Sequence, residues 1–296
     1  MTRSMWIAIF ICAALGLTYF AMRKDHVRVG VRALILPQIN INSIDKIEID
    51  GTEKVRLLKE INGWQVYLGG VNNKKVLASA EYVSALFQAA PQIQSDYFAT
   101  ERFDKQAEFQ VSDETATKII LYSGDKPVWS LLIGEEAQGG GRYVRVPASL
   151  PIFVARGNFG DLTRSIIDEW RNRIILPVIK EKFAKLIIKK AGLEKSITTE
   201  AVPLHPLTEM LANLRAMHFV ESAAEKSLAQ QDLQKPSFEI IIYDKNNSFY
   251  ELVVASHPRH QKHWVCLRGG NQIYQISPYA FERLKKSVAA VYDASK

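Results

Sequence analysis

The chain has 296 residues, of which 47% are hydrophobic, 23% charged and 10% aromatic, with a formal net charge of +7. That balance excludes a disordered or low-complexity chain and leaves room for two globular domains of ordinary size. Its two cysteines, Cys12 and Cys266, suit an oxidising or a reducing compartment equally, and no nucleic-acid-binding motif accompanies the basic excess.

After a four-residue N-tail, Met5 to Met22 runs eighteen residues without a charge, between Arg3 and Arg23-Lys24. At about 1.5 Å per residue, such a helix just crosses a hydrocarbon core of roughly 30 Å. We expect a single membrane span, with Trp6, Ile9, Phe10, Leu15, Leu17 and Phe20 as its lipid-facing anchor. The run ends in Thr18-Tyr19-Phe20-Ala21-Met22, without the small-residue cleavage site of a signal peptide. Ile11 before Cys12 argues against a lipoprotein signal, so the segment reads as an uncleaved signal anchor.

Residues 23–44 form a juxtamembrane linker carrying Arg23, Lys24, Arg28 and Arg32, a basic set suited to anionic headgroups. A count of positive flanking charges leans towards a cytoplasmic bulk domain. The short N-tail and the usual behaviour of a lone N-terminal anchor lean towards export. We expect a single-pass inner-membrane protein with its bulk in the periplasm.

Beyond the linker, Ile47 and Ile49, then Val55 and Leu57, alternate with polar residues as two half-buried strands. Asn62-Gly63 turns into a third strand at 64–67. Ser79 caps a helix whose Tyr82, Val83, Leu86 and Phe87 share a face, and Pro91 stops it. Strands follow at 117–122 and 128–133, at 142–146 after Gly139-Gly140-Gly141, and at 152–155 after Pro151. A second helix is expected from Asp161 to Trp170.

A spacing of 121 residues then repeats the pattern without a gap. Ile119-Ile120-Leu121-Tyr122 falls on Ile240-Ile241-Ile242-Tyr243, Leu131 on Leu252, Tyr143 on Trp264 and Phe153 on Tyr274. Upstream, residues 45–50 resemble 184–190, and 80–90 resemble 206–217; the closing helix of the second half is expected at Tyr279–Val291. The expected fold class is α+β: the transmembrane helix, then two copies of a module with a mainly antiparallel twisted sheet and helices packed on it, at 45–177 and 178–296.

The series Leu132-Ile133-Gly134, Gly141 to Arg145 and Trp170 to Leu176 resembles, in that order, the bacterial domain of unknown function numbered forty-three-forty, over about residues 36–190. Members of that family have an N-terminal anchor and are often found beside ABC-2-type transporters and gliding-motility-like auxiliary proteins. The resemblance implies inner-membrane partners, among them an ABC transporter permease and auxiliary subunits. It supplies no catalytic residues.

His257, His260 and His263 are spaced as metal ligands on a helix would be. Pro258 and the alignment with 134–142 place them instead at a solvated hairpin tip. Gly139-Gly140-Gly141 lacks the Lys-Ser/Thr and helix of a phosphate loop and reads as a hairpin loop. Neither a nucleophile elbow nor a zinc-protease motif is present, so we expect no enzyme, no resident metal and no cofactor. Arg145, Arg171 and Arg173 are candidate contacts for an acidic partner. The leading expectation is a non-catalytic scaffold or accessory subunit of an ABC-type transport or cell-envelope complex. The second is a periplasmic module that binds glycan or lipid in the groove between the two copies.

Overall fold

The computed structural model describes residues 33–69, 74–178, 180–198, 206–246 and 248–293. The expected anchor, with Trp6, Ile9, Phe10, Leu15, Leu17 and Phe20, and the basic set Arg23, Lys24, Arg28 and Arg32 lie outside them. Among the described residues no helix is long and apolar enough to cross a membrane. The chain divides into two compact units, one up to Asn172 and one from Arg173, five residues ahead of the expected joint.

The first unit holds strands β1 (Lys46–Asp50), β2 (Lys54–Glu60), β3 (Gly63–Tyr67) and β4 (Lys75–Leu77), then helix α1 (Ala80–Ala89) and β5 (Gln94–Thr100). A short α2 (Lys105–Glu108) precedes β6 (Thr117–Ser123), β7 (Lys126–Glu136), β8 (Arg142–Arg145) and β9 (Ile152–Arg156), and α3 (Phe159–Leu162) follows. The nine strands form one sheet in the order β4-β3-β2-β1-β6-β7-β8-β9-β5, with every pair antiparallel.

The alternation legible in the sequence is what buries one face of this sheet. Ile47, Ile49, Val55, Leu57, Ile119 and Leu121 are fully buried, each worth roughly 1.5–3 kcal/mol relative to exposure. Ser79 accepts the N–H of Tyr82 and starts α1, which presents Val83, Leu86 and Phe87 to that face. Trp64 meets Phe87 with ring centroids 5.7 Å apart.

The second unit repeats this plan with β10 (Phe183–Lys190), β11 (Leu193–Thr198), α4 (Pro206–Ala212), β12 (His218–Val220) and α5 (Ala223–Leu233). It continues through β13 (Phe238–Asp244), β14 (Phe249–Ser256), β15 (His263–Leu267), β16 (Ile273–Ile276) and α6 (Pro278–Asp293). Its sheet order is β11-β10-β13-β14-β15-β16-β12, which is the first order without β4 and β3.

The registers agree as well as the order. Thr117 pairs with Ile133 as Phe238 pairs with Val254, and Leu121 with Trp129 as Ile242 with Tyr250. Arg145 pairs with Leu132 and Ile152 as Cys266 pairs with Val253 and Ile273. Ile47 faces Leu121 as Leu186 faces Ile242, which extends the match to the first strands. Side-chain direction has a period of two along a strand, so equal register means equal faces. Phe98–Phe153 and Phe219–Tyr274, both at 5.9 Å, show the consequence in packing.

The expected helix from Asp161 to Trp170 does not form. Helix α3 stops at Leu162, and a separate 3-10 turn covers Ile167–Trp170. The intervening backbone is taken by the β1–β2 turn: Glu53 N–H bonds to Ser165 O (2.9 Å), and Glu53 Oε2 accepts the N–H of Ile167 (2.7 Å). Trp170 Nε1 donates to Arg164 O at 2.8 Å, fixing the fully buried indole. These tertiary bonds replace the bonds that a continuous helix would have made. In the second unit the corresponding helix does form, as the sixteen-residue α6.

Candidate functional site

Arg145 sits on β8 and is 3% exposed. Its Nε donates to Val111 O (2.8 Å), Nη1 to Ser149 O (2.9 Å) and Nη2 to Asp113 Oδ2 (3.2 Å). The guanidinium therefore ties the segment ahead of β6 and the β8–β9 connection to the strand. Arg171 is 2% exposed and ion-paired to Asp168 at 2.9 Å. Both arginines were expected to meet a partner; their burial turns them to the interior, because each charge is matched by acceptors from its own chain. Arg173 is half-buried and donates to Met217 O at 2.9 Å, while its own carbonyl accepts the N–H of Ala216.

The three histidines do not converge. His257 Nδ1 accepts the backbone N–H groups of Arg259 and His260 at 3.2 and 3.3 Å, so it shapes the turn between β14 and β15. The His257 and His260 rings lie 4.6 Å apart. His263 belongs to β15, is buried, and stacks on Phe281 of α6 at 4.1 Å. Burial pushes its pKa below the ordinary value, with Glu282 acting in the opposite direction. Among the described residues no group of three or more His, Cys, Asp or Glu side chains could hold a metal ion. Cys266 is half-buried, and burial raises its thiol pKa.

The glycine-rich loop is a hairpin connection. Gly139, Gly140 and Gly141 all have positive φ, and a Cβ on Gly141 would come within 2.5 Å of Ala155 O. Gly134 is required by a neighbour: its Cβ would lie 2.1 Å from Phe109 O. That contact lets residues 109–111 lie flat on β7, with Phe109 stacked on Tyr143 at 4.1 Å.

The feature that the strand and motif reading missed is a groove in the first unit. Leu34 to Ile39 form one wall, Ala90, Pro91 and Ile93 the other, and Trp129 lines the space between them, about 530 Å³ in volume. Gln38 is the only polar residue lining it. Ile35 is 84% exposed.

A sequence signal for this wall exists. Leu34-Ile35-Leu36-Pro37-Gln38-Ile39 recurs as Ile174-Ile175-Leu176-Pro177-Val178-Ile179. The second version is closed: Ile175, Leu176 and Val178 are 2%, 1% and 5% exposed. There Ile175 N–H bonds to Leu214 O (3.1 Å), and Ala216 N–H to Arg173 O (2.8 Å). In the first unit Ala90 O accepts from Ile93 within the 3-10 turn Ala90–Gln92, which contains Pro91, and Leu34, Leu36 and Ile39 pack against the core that holds Ala90 and Ile93.

Residues 71–203 match the family described as domain of unknown function (DUF4340), the family that the chain's motifs resemble. The match begins after β3 and continues beyond β11, so it crosses from the first unit into the second. No curated protein and no solved structure matches the chain.

Proposed function

We propose that this chain is a membrane-tethered, non-catalytic scaffold: an accessory subunit of an ABC-type transport or cell-envelope complex. It is built from two copies of one module and held at the bacterial inner membrane by Met5–Met22, with its bulk in the periplasm. The observation that carries this reading is what the two units have in common. At register-matched positions the apolar core agrees, as in Ile119/Ile240 and Leu131/Leu252. Matched polar positions differ in part, with Arg145 against Cys266 and Glu48 against Ile187, while Lys46 over Tyr122 recurs as Lys185 over Tyr243. A sheet kept for its stiffness and reused for its surface leaves the pattern seen here.

Two experiments on the full-length protein test the reading. Carbonate extraction should leave it in the membrane, and crosslinking from membranes followed by mass spectrometry should recover an ABC transporter permease or auxiliary subunit. Release by carbonate would remove the tether. A C-terminal phosphatase fusion without activity would move the bulk to the cytoplasm, and crosslinks confined to soluble proteins would remove the scaffold role.

A further inference from the structure

We propose that the turn between β15 and β16 carries a glycan-binding site, built in the second unit and missing from the first. The site goes beyond the scaffold reading and does not depend on the tether.

Two cavities meet at this turn. One, about 550 Å³ in volume, is lined by Phe249, Tyr250, Glu251, Arg268 and Gly269-Gly270. The other, about 590 Å³, is lined by Gln230 and Gln234 at the end of α5, by Glu239 and by Asn271. Arg268 and Gly270 belong to both, so the two spaces adjoin. Each falls in the range of roughly 300–1,000 Å³ typical of small-ligand pockets. Side by side they suit a chain of sugar rings better than a single compact molecule.

The side chains select the chemistry. Phe249 is 65% exposed at the start of β14, its ring 6.2 Å from that of Tyr243. An aromatic face open to water is apolar and carries negative π density, which matches the C–H face of a pyranose ring. Beside it Arg268 is held in place: Nη2 donates to Glu239, and Nε lies 2.7 Å from Glu251 Oε1. Neither pair uses Nη1, so the planar fork keeps donors in a fixed orientation for vicinal hydroxyls. Gly269, at φ +82°, has nothing within 4 Å of the place a Cβ would take, which leaves the turn open to a ligand. Gln230, Gln234 and Asn271 are exposed and add amide donors and acceptors on the far side of Arg268.

Other ligands fit these groups less well. Two carboxylates against one guanidinium leave the site net negative, which disfavours phosphate and similar anions. Both carboxylates already hold Arg268, so an ammonium group would have to compete with it. An apolar ligand would strip water from the guanidinium and the amides without replacing those hydrogen bonds. A polyol replaces them. The first unit serves as an internal control: 121 residues earlier Val128, Ser130 and Pro147 stand at the places of Phe249, Glu251 and Arg268. Ring, carboxylate and guanidinium are thus missing there together, while the core pair Leu131 and Leu252 is kept.

The test uses the full-length protein in polyoxyethylene-detergent micelles, with maltohexaose, cellohexaose and chitohexaose as probes and spermidine as the cationic comparison. Saturation-transfer difference NMR reads which ligand protons touch the protein. The proposal expects transfer to the ring C–H protons of at least one hexasaccharide at millimolar concentration. Phe249→Val, which installs the first unit's residue, and Arg268→Gln should each weaken that binding about tenfold. Ile61→Ala, at a fully exposed turn of the first unit, should leave it unchanged. Because Phe249 is exposed, circular dichroism of its variant should match the parent protein. Absence of transfer to all three hexasaccharides overturns the proposal, as does sugar binding that Phe249→Val leaves intact. Transfer to spermidine alone would make this an organic-cation site and overturn it equally. None of these outcomes bears on the tether.

Discussion

Replacing Arg145 by alanine should destabilise the first unit selectively. The guanidinium supplies three bonds of unequal weight. Val111 is fully buried, and its carbonyl receives Arg145 Nε at 2.8 Å. Hydrogen bonds to a charged group are worth about 1.5–3 kcal/mol, and a buried acceptor left bare costs a similar amount. The bond to Ser149 O is part-buried and adds about 1 kcal/mol. The Asp113 carboxylate is 59% exposed, so its share is close to zero after solvent screening. The total is about 3 kcal/mol, roughly a hundredfold in the folding equilibrium.

With a urea dependence of about 2 kcal/mol/M for a domain of this size, the midpoint should fall by about 1.5 M. Hydrogen exchange of the full chain in micelles reads the two units separately. The β7–β9 amides should lose protection at lower urea, while the β13–β16 amides stay as they were. Arg145→Met keeps the apolar stem but supplies no donors and should cost nearly as much as alanine. Arg145→Lys keeps a charge and a single donor nitrogen and should cost less than either. A loss below about 1 kcal/mol for alanine, or full stability with methionine, would refute the assignment of the effect to the carbonyl bonds.

Gly134→Ala places a methyl 2.1 Å from a backbone oxygen that has no rotamer to escape into, so a loss of about 1–3 kcal/mol is expected from thermal melts. Ala255, 121 residues on, carries that methyl in a buried cluster with Ala229 and Trp264. His263 makes the second unit sensitive to pH. Its folded pKa lies below its unfolded value, so the neutral ring favours folding above about pH 6.5, and this contribution is lost as the pH falls through the depressed pKa. Urea midpoints of the β13–β16 amides between pH 8 and pH 5 should show this loss, and His263→Phe should flatten it; an unchanged slope would remove His263 as its source.

The sheets were legible because their signal is local. Ile47 and Ile49, or Ile240 and Ile242, alternate strictly, and the structure buries each pair completely. Strand β5 carries no such signal: Ser95, Asp96 and Tyr97 break the alternation, and its pairing with β9 is itself irregular at two places. The failed helix at 161–170 and the burial of Arg145 were hidden for the same reason. What decides them is an acceptor distant in sequence, Glu53 for the backbone of Ile167 and Val111 O for Arg145. His263 lay closer to legibility, since it shares a strand face with the buried Val265, and the match to Arg142 places it at the head of a strand.

The groove shows how far local information reaches. Residues 34–38 and 174–178 are near-copies, yet Ile35 is 84% exposed while Ile175, Leu176 and Val178 are buried. Gln38 against Val178 is the polar difference between the two. In the second unit Leu214 O receives a bond from Ile175, and in the first Ala90 O receives one from Ile93 within the turn Ala90–Gln92. Pro91, the second residue of that turn, favours it by fixing φ and needs no donor there. Burial of a similar apolar motif thus depends on the segment that faces it as well as on its own residues.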